Sequence, residues 1–193
     1  RRQRHMCIRD RAFEYYKKGL EVSELIGNKS GIARNLENIG CTYLELQDYT
    51  NAEKYLLQST EIFKKTGERK ELAHAYGNLG YMMIEMKDYS KARKYLEQAL
   101  QIGQDVGAKG VVANQFIGLG YLEFELGNVK SSYDYFDKGL KYTVSLNDSK
   151  SFWEAQTGLA MVLREQGKSE KALEHAMAAI DKLEEVQRLL TIS

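Results

Sequence analysis

The 193-residue sequence contains no proline, two cysteines, three histidines and one tryptophan. Each scarcity excludes something. Without proline, no helix can be ended by a ring that lacks a backbone donor, so glycine and asparagine must supply the stops. Cys7 and Cys41 form no disulfide framework and lack metal-ligand spacing, which points to a reducing, cytoplasmic setting. His5, His74 and His175 stand far apart in phase, so no catalytic or metal-binding grouping emerges and no cofactor is expected. No apolar run reaches the ~18 residues a spanning helix needs, so no membrane span is expected. Net charge is scarce too: 28 basic residues against 27 acidic leave +1. That balance gives no footprint for nucleic acid or an anionic membrane.

What the chain does have is a beat of 40 residues. Gly80 falls in register with Gly40, Gly120 and Ala160, and Ala92 with Ala12, Ala52, Ser132 and Ala172. Ala99 matches Gly19, Ser59, Gly139 and Ala179, while Gly107 matches Gly27, Gly67 and Asn147. Such a period marks a stacked repeat whose units touch only their neighbours. Within one unit, Leu72, Tyr76, Leu79 and Met83 form an apolar stripe at helical spacing, and Ala92, Leu96, Ala99 and Leu100 form a second. Lys87-Asp88 is the turn between them. Asp48, Asp88 and Asn128 are good N-caps for the second helices, a series that Lys168 breaks. A helix-interior glycine costs about 1 kcal/mol relative to alanine, so glycines recurring at the phase of Gly80 imply close helix approach.

These residues resemble the tetratricopeptide repeat (TPR) family. Its landmarks read here as Tyr76, Leu79-Gly80, Met83, Ala92, Leu96 and Ala99. Neighbouring copies read Leu36, Ile39-Gly40, Tyr43, Ala52, Leu56 and Ser59, then Phe116, Leu119-Gly120, Glu123, Ser132, Phe136 and Gly139. A weaker fourth reads Gln156, Leu159-Ala160, Leu163, Ala172, Ala176 and Ala179. Two departures stand out: the usual period of about 34 residues is exceeded, and the family's closing proline is missing. The longer period, similar to kinesin light chains and the adaptors that orient mitotic spindles, implies helices about one and a half turns longer. The resemblance implies an all-α fold, a right-handed superhelical solenoid of antiparallel helix pairs with about nine helices.

In chain order, 1–9 is an N-terminal tail that fits no repeat position, with Arg1–Met6 reading equally as a cloning scar or a frayed basic helix start. A single array over 10–193 follows: a half repeat at 10–30, then repeats at 31–70, 71–110, 111–150 and 151–190. The helix pairs are expected at about 31–66, 71–106, 111–146 and 151–190. A start in mid-repeat and an apolar stripe running to Leu189 and Leu190 suggest a piece of a longer protein, or self-association through uncapped ends.

By the same resemblance, first helices line a concave groove whose candidate contacts are Arg34, Asn38, Cys41, Glu45, His74, Asn78, Tyr81, Glu85, Asn114, Ile117, Tyr121 and Phe124. Side-chain amides can bond both the N–H and the C=O of an extended peptide, and tyrosines offer apolar area with a polar tip. Asn38 and Asn78 sit one period apart, either as a ladder for a partner's backbone or as exposed residues bonding locally. Gly118 and Gly158 confine any ladder to the first two pairs. Glu45, Glu85, Glu125 and Glu165 recur at every period, either as an acidic strip for a basic ligand or as solvated last-turn residues. The function expected is non-catalytic: a scaffold or adaptor binding a peptide or partner helix. The alternative is a regulatory TPR domain cut from a larger enzyme or regulator, such as a caspase-like peptidase, a kinase or a transcription regulator.

Overall fold

Helix starts fall on the forty-residue beat in two interleaved series. The computed structural model describes residues 2–146 and 148–192, with side chains over 11–146 and 148–188. Asn147 and the side chains of the tail (His5 and Cys7 included), of Leu189 and of Leu190 lie outside what is described. The order is α1 (Arg2–Leu25), α2 (Lys29–Glu45), α3 (Tyr49–Thr66), α4 (Arg69–Glu85), α5 (Tyr89–Asp105), α6 (Lys109–Glu125), α7 (Val129–Leu146), α8 (Ser149–Glu165) and α9 (Ser169–Ile192). No strand occurs among the described residues. First helices begin two residues earlier than the spacing predicts, because a single cap residue separates α2, α4 and α6 from the left-handed stops before them. Asn28 accepts from Gly31 N at 3.0 Å, and Asp148 accepts from Ser151 N at 3.2 Å.

The stops between pairs are Gly27, Gly67 and Gly107, with φ of 68°, 76° and 66°. Within pairs the same left-handed turn falls on Gln47 and Lys87, both at φ 60°, and on Gly127 and Gly167. Asp48 and Asp88 cap their helices as expected, accepting from Asn51 N and Lys91 N at 3.1 Å. Asn128 does not cap. Its amide donates instead to Glu123 Oε2 at 2.7 Å.

Packing explains the recurrent glycines. A Cβ at Gly40 would come within 2.8 Å of Leu56, at Gly80 within 2.7 Å of Leu96, and at Gly120 within 2.8 Å of the Phe136 ring. Each contact is between the two helices of one pair, so this phase sets how closely they approach. A continuous core joins Leu56, Leu79, Met83, Leu96 and Leu122 across three pairs. Glu123 occupies the phase of Tyr43 and Met83 yet is only 5% exposed. It is tolerated there because Arg93 of α5 donates to one carboxylate oxygen and Asn128 to the other.

First helices touch one another from pair to pair: α2 meets α4, α4 meets α6 and α6 meets α8. The second helices α3, α5, α7 and α9 do not meet each other. Each pair is therefore a wedge with its thin edge toward the first helices, and stacked wedges curve around that side.

Candidate binding groove

The curvature leaves a cavity of about 400 Å³ walled by α2, α4, α6 and α8. From α4 it takes His74, Gly77, Asn78 and Tyr81, and from α6 Asn114, Gln115 and Tyr121. Leu44 of α2 closes one side, and Lys150, Trp153 and Glu154 of α8 close the other. No group of His, Cys, Asp and Glu that could hold a metal ion occurs among the described residues. No helix there is long and apolar enough to cross a membrane.

Two asparagines are held by one end each. Asn78 Nδ2 donates to Glu37 Oε1 at 2.9 Å, so its Oδ1 is left as an open acceptor. Ser151 Oγ holds one end of the Asn114 amide at 2.7 Å while its single proton is also claimed by Asp148 Oδ2 at 2.7 Å, so the other end of the Asn114 amide is left open. Tyr81 and Tyr121 are tied as well. The Tyr81 hydroxyl donates to the Asn114 carbonyl at 3.0 Å, and the Tyr121 hydroxyl reaches the Glu154 carbonyl at 3.5 Å. Their phenols therefore brace neighbouring first helices, and both residues line the cavity.

Burial dominates the electrostatics. It pushes the Glu37 carboxyl up to about 7, with the Asn78 bond opposing, Glu71 adding and Arg34 opposing. Burial, then Glu154, holds the Tyr81 phenol well above its usual range and moves Tyr121 up to about 12. The Glu154 carboxyl is itself raised by burial, against the pull of Lys150. His74 is lowered by burial and by Lys70, so it is neutral at pH 7. Burial, with Glu37 and Glu45 alongside, drives the Cys41 thiol up to about 12. A thiol that holds its proton so firmly is no nucleophile.

Of the residues expected from sequence, His74, Asn78, Tyr81, Asn114 and Tyr121 come together in this cavity. Arg34 is diverted to Glu71 at 3.4 Å and Glu68 at 3.8 Å. Asn38, Glu45 and Glu85 are exposed, and Cys41 and Phe124 pack partly into the cores beside α2 and α6. Ile117 must be removed from the set. It is 0% exposed, clamped beneath Gly139 of α7 where no ligand can reach. Gly118 replaces asparagine because a Cβ there would stand 2.9 Å from Leu96 and 3.2 Å from the Tyr81 ring. Gln115, Lys150 and Trp153 were not foreseen. For two of them the signal was departure from the repeat: Trp153 stands where other copies have Ala33, Ala73 and Ala113, and Gln115 stands where two have Ala75 and Ala155.

This geometry, helix pairs stacked with their first helices inward, defines a helical-repeat solenoid. The Tetratricopeptide repeat family model matches residues 9–65 and 32–105, which together span half of the 193 residues. The chain belongs to the tetratricopeptide repeat family. Among solved structures, apo RapI is similar at 24% identity and a TM-score of 0.74, over 95% of this chain and 65% of that one. A Rap protein complexed with competence and sporulation factor matches at 19% identity and a TM-score of 0.81, over 88% and 48%. TPR-like repeats of a putative kinesin light chain from Podosopora anserina match at 15% and 0.63, over 97% and 93%. At these identities the likeness is one of fold, and this chain spans about half to two thirds of the Rap chains' length. No curated protein sequence matches it significantly.

Proposed function

We propose that this chain is a non-catalytic protein-interaction scaffold whose concave groove takes an extended peptide segment of a partner. The observation that carries this reading is the pair of clamped amides. Asn78, held through its nitrogen, presents an acceptor, and Asn114, held at one end by Ser151, presents the other end of its amide. A side-chain amide fixed in this way can bond the N–H or the C=O of an extended peptide unit. Because both amides are fixed before a ligand arrives, little ordering cost falls on binding. Glu45, Glu85, Glu125 and Glu165, all exposed at the C-terminal ends of the first helices, give the groove an acidic edge. One neighbour of the same fold was solved with competence and sporulation factor bound, which fits a ligand-holding role for such an array.

Selection from a displayed library of random short peptides should yield sequences that bind the folded chain, as read by fluorescence anisotropy. Asn78→Ala and Asn114→Ala should each weaken them by about tenfold, one hydrogen bond's worth in a desolvated site. Asn38→Ala, exposed and unclamped, should matter less. Undiminished binding in the Asn78→Ala/Asn114→Ala double variant would sink the groove reading.

A further inference from the structure

One group in the cavity has a polar atom left without a partner. Gln115 is 2% exposed, lies across Gly77, and its Oε1 is buried with no hydrogen-bond partner. Buried amide oxygens are ordinarily bonded. The side chain lines the cavity, which places this amide beside any donor that enters it. A second acceptor, Asn78 Oδ1, is open beside it, since that amide's nitrogen is spent on Glu37. A third is charged: the side chain of Glu154 is 25% exposed, and its ion-pair partner among the described residues is Lys150, 3.9 Å away and itself 81% exposed. The walls are the rings of Tyr81, Tyr121 and Trp153, whose faces attract cations. His74, uncharged at neutral pH, offers no repulsion.

Open acceptors, a poorly paired carboxylate and aromatic walls share one complement: a cation carrying several donors. We infer that this cavity is a subsite for the basic side chain of the bound peptide, arginine in preference to lysine. The guanidinium, planar and with five N–H groups, can meet acceptors on separate helices while lying against a ring; an ammonium concentrates its donors at one point. The exposed glutamates along the rim would draw such a ligand in. The inference rests on the groove reading above and adds the chemistry of one ligand position.

Trp153 is the chain's single tryptophan, so its fluorescence reports on the cavity. Titration of the intact chain with acetyl-arginine amide should give a saturable change. Acetyl-citrulline amide, of nearly the same shape but uncharged, should bind about tenfold more weakly or worse. Glu154→Gln should weaken acetyl-arginine amide by about tenfold. Lys150→Ala should tighten it, because the resident cation that competes for Glu154 is gone. Opposite signs at neighbouring residues are not what a folding defect produces, and circular dichroism checks the fold of each variant. Equal affinity for the two amides, or for wild type and Glu154→Gln, overturns the inference. Groove-binding library peptides with no enrichment of arginine or lysine would overturn it while leaving the groove reading intact. Saturable, Glu154-dependent binding of acetyl-arginine amide with no peptide binders would do the reverse.

Discussion

Glu37 shows how one side chain can couple the groove to pH. Its folded carboxyl keeps a proton up to about pH 7, whereas the ordinary value is 4.5. Folding therefore takes up a proton between those limits, so the Glu37 contribution is complete below pH 4.5 and fades as pH rises through 7. Denaturation of wild type and Glu37→Gln at pH 5 and pH 8 should show a steeper loss in wild type, because glutamine keeps the acceptor for Asn78 without the buried charge. Parallel slopes would refute this. Lys87, at φ 60°, is a second case. A non-glycine residue in the left-handed region costs about 1–2 kcal/mol, partly offset by glycine's greater freedom when unfolded. Lys87→Gly should raise stability by about 0.5–1 kcal/mol in chemical denaturation, since Gly127 and Gly167 already occupy the equivalent turns. Sequence periodicity finds the turn, but not the strain, because glycine appears in only half of the copies.

At the scale of the helix pair, the Arg93–Glu123 contact joins α5 to α6. Arg93→Met leaves a carboxylate of 5% exposure without its cation. Such losses cost about 3–5 kcal/mol when both partners are fully buried, and about 2–3 is expected here because a third of the arginine side chain faces water. Arg93→Met/Glu123→Leu should recover most of the loss, and a double-mutant cycle by urea unfolding measures the coupling. This ion pair also marks the limit of reading the sequence. The phase placed helices, stops and caps within a few residues, because backbone geometry repeats. It assigned Glu123 to an apolar position, because its partner lies 30 residues back on another helix. The groove divided along the same line. Residues shared by most copies, such as the glycines at 40, 80 and 120, build the scaffold and follow from the period. Gln115 and Trp153 differ from their counterparts, so a search for likeness between copies passes over them. Ile117 failed for the converse reason: its phase faces the groove in one copy, but α7 packs over it in another.

Across the whole molecule, stability should be graded. Each pair rests only on its neighbours, and the core joining α3 to α6 is flanked on both sides. Hydrogen exchange followed by mass spectrometry should find the slowest amides in α4, α5 and α6, with α1 and α9 opening first. Uniform protection from end to end would contradict this and indicate a single cooperative unit. The wedge shape of the pairs has a mechanical consequence. Successive pairs meet through α3 on α4, α5 on α6 and α7 on α8 as well as along the inner line of first helices, so the array resembles a spring whose turns bear on one another. Tension applied to its two ends loads those contacts in series. A guest bridging α4, α6 and α8 would stiffen the coil, and a sufficient load would expel the guest.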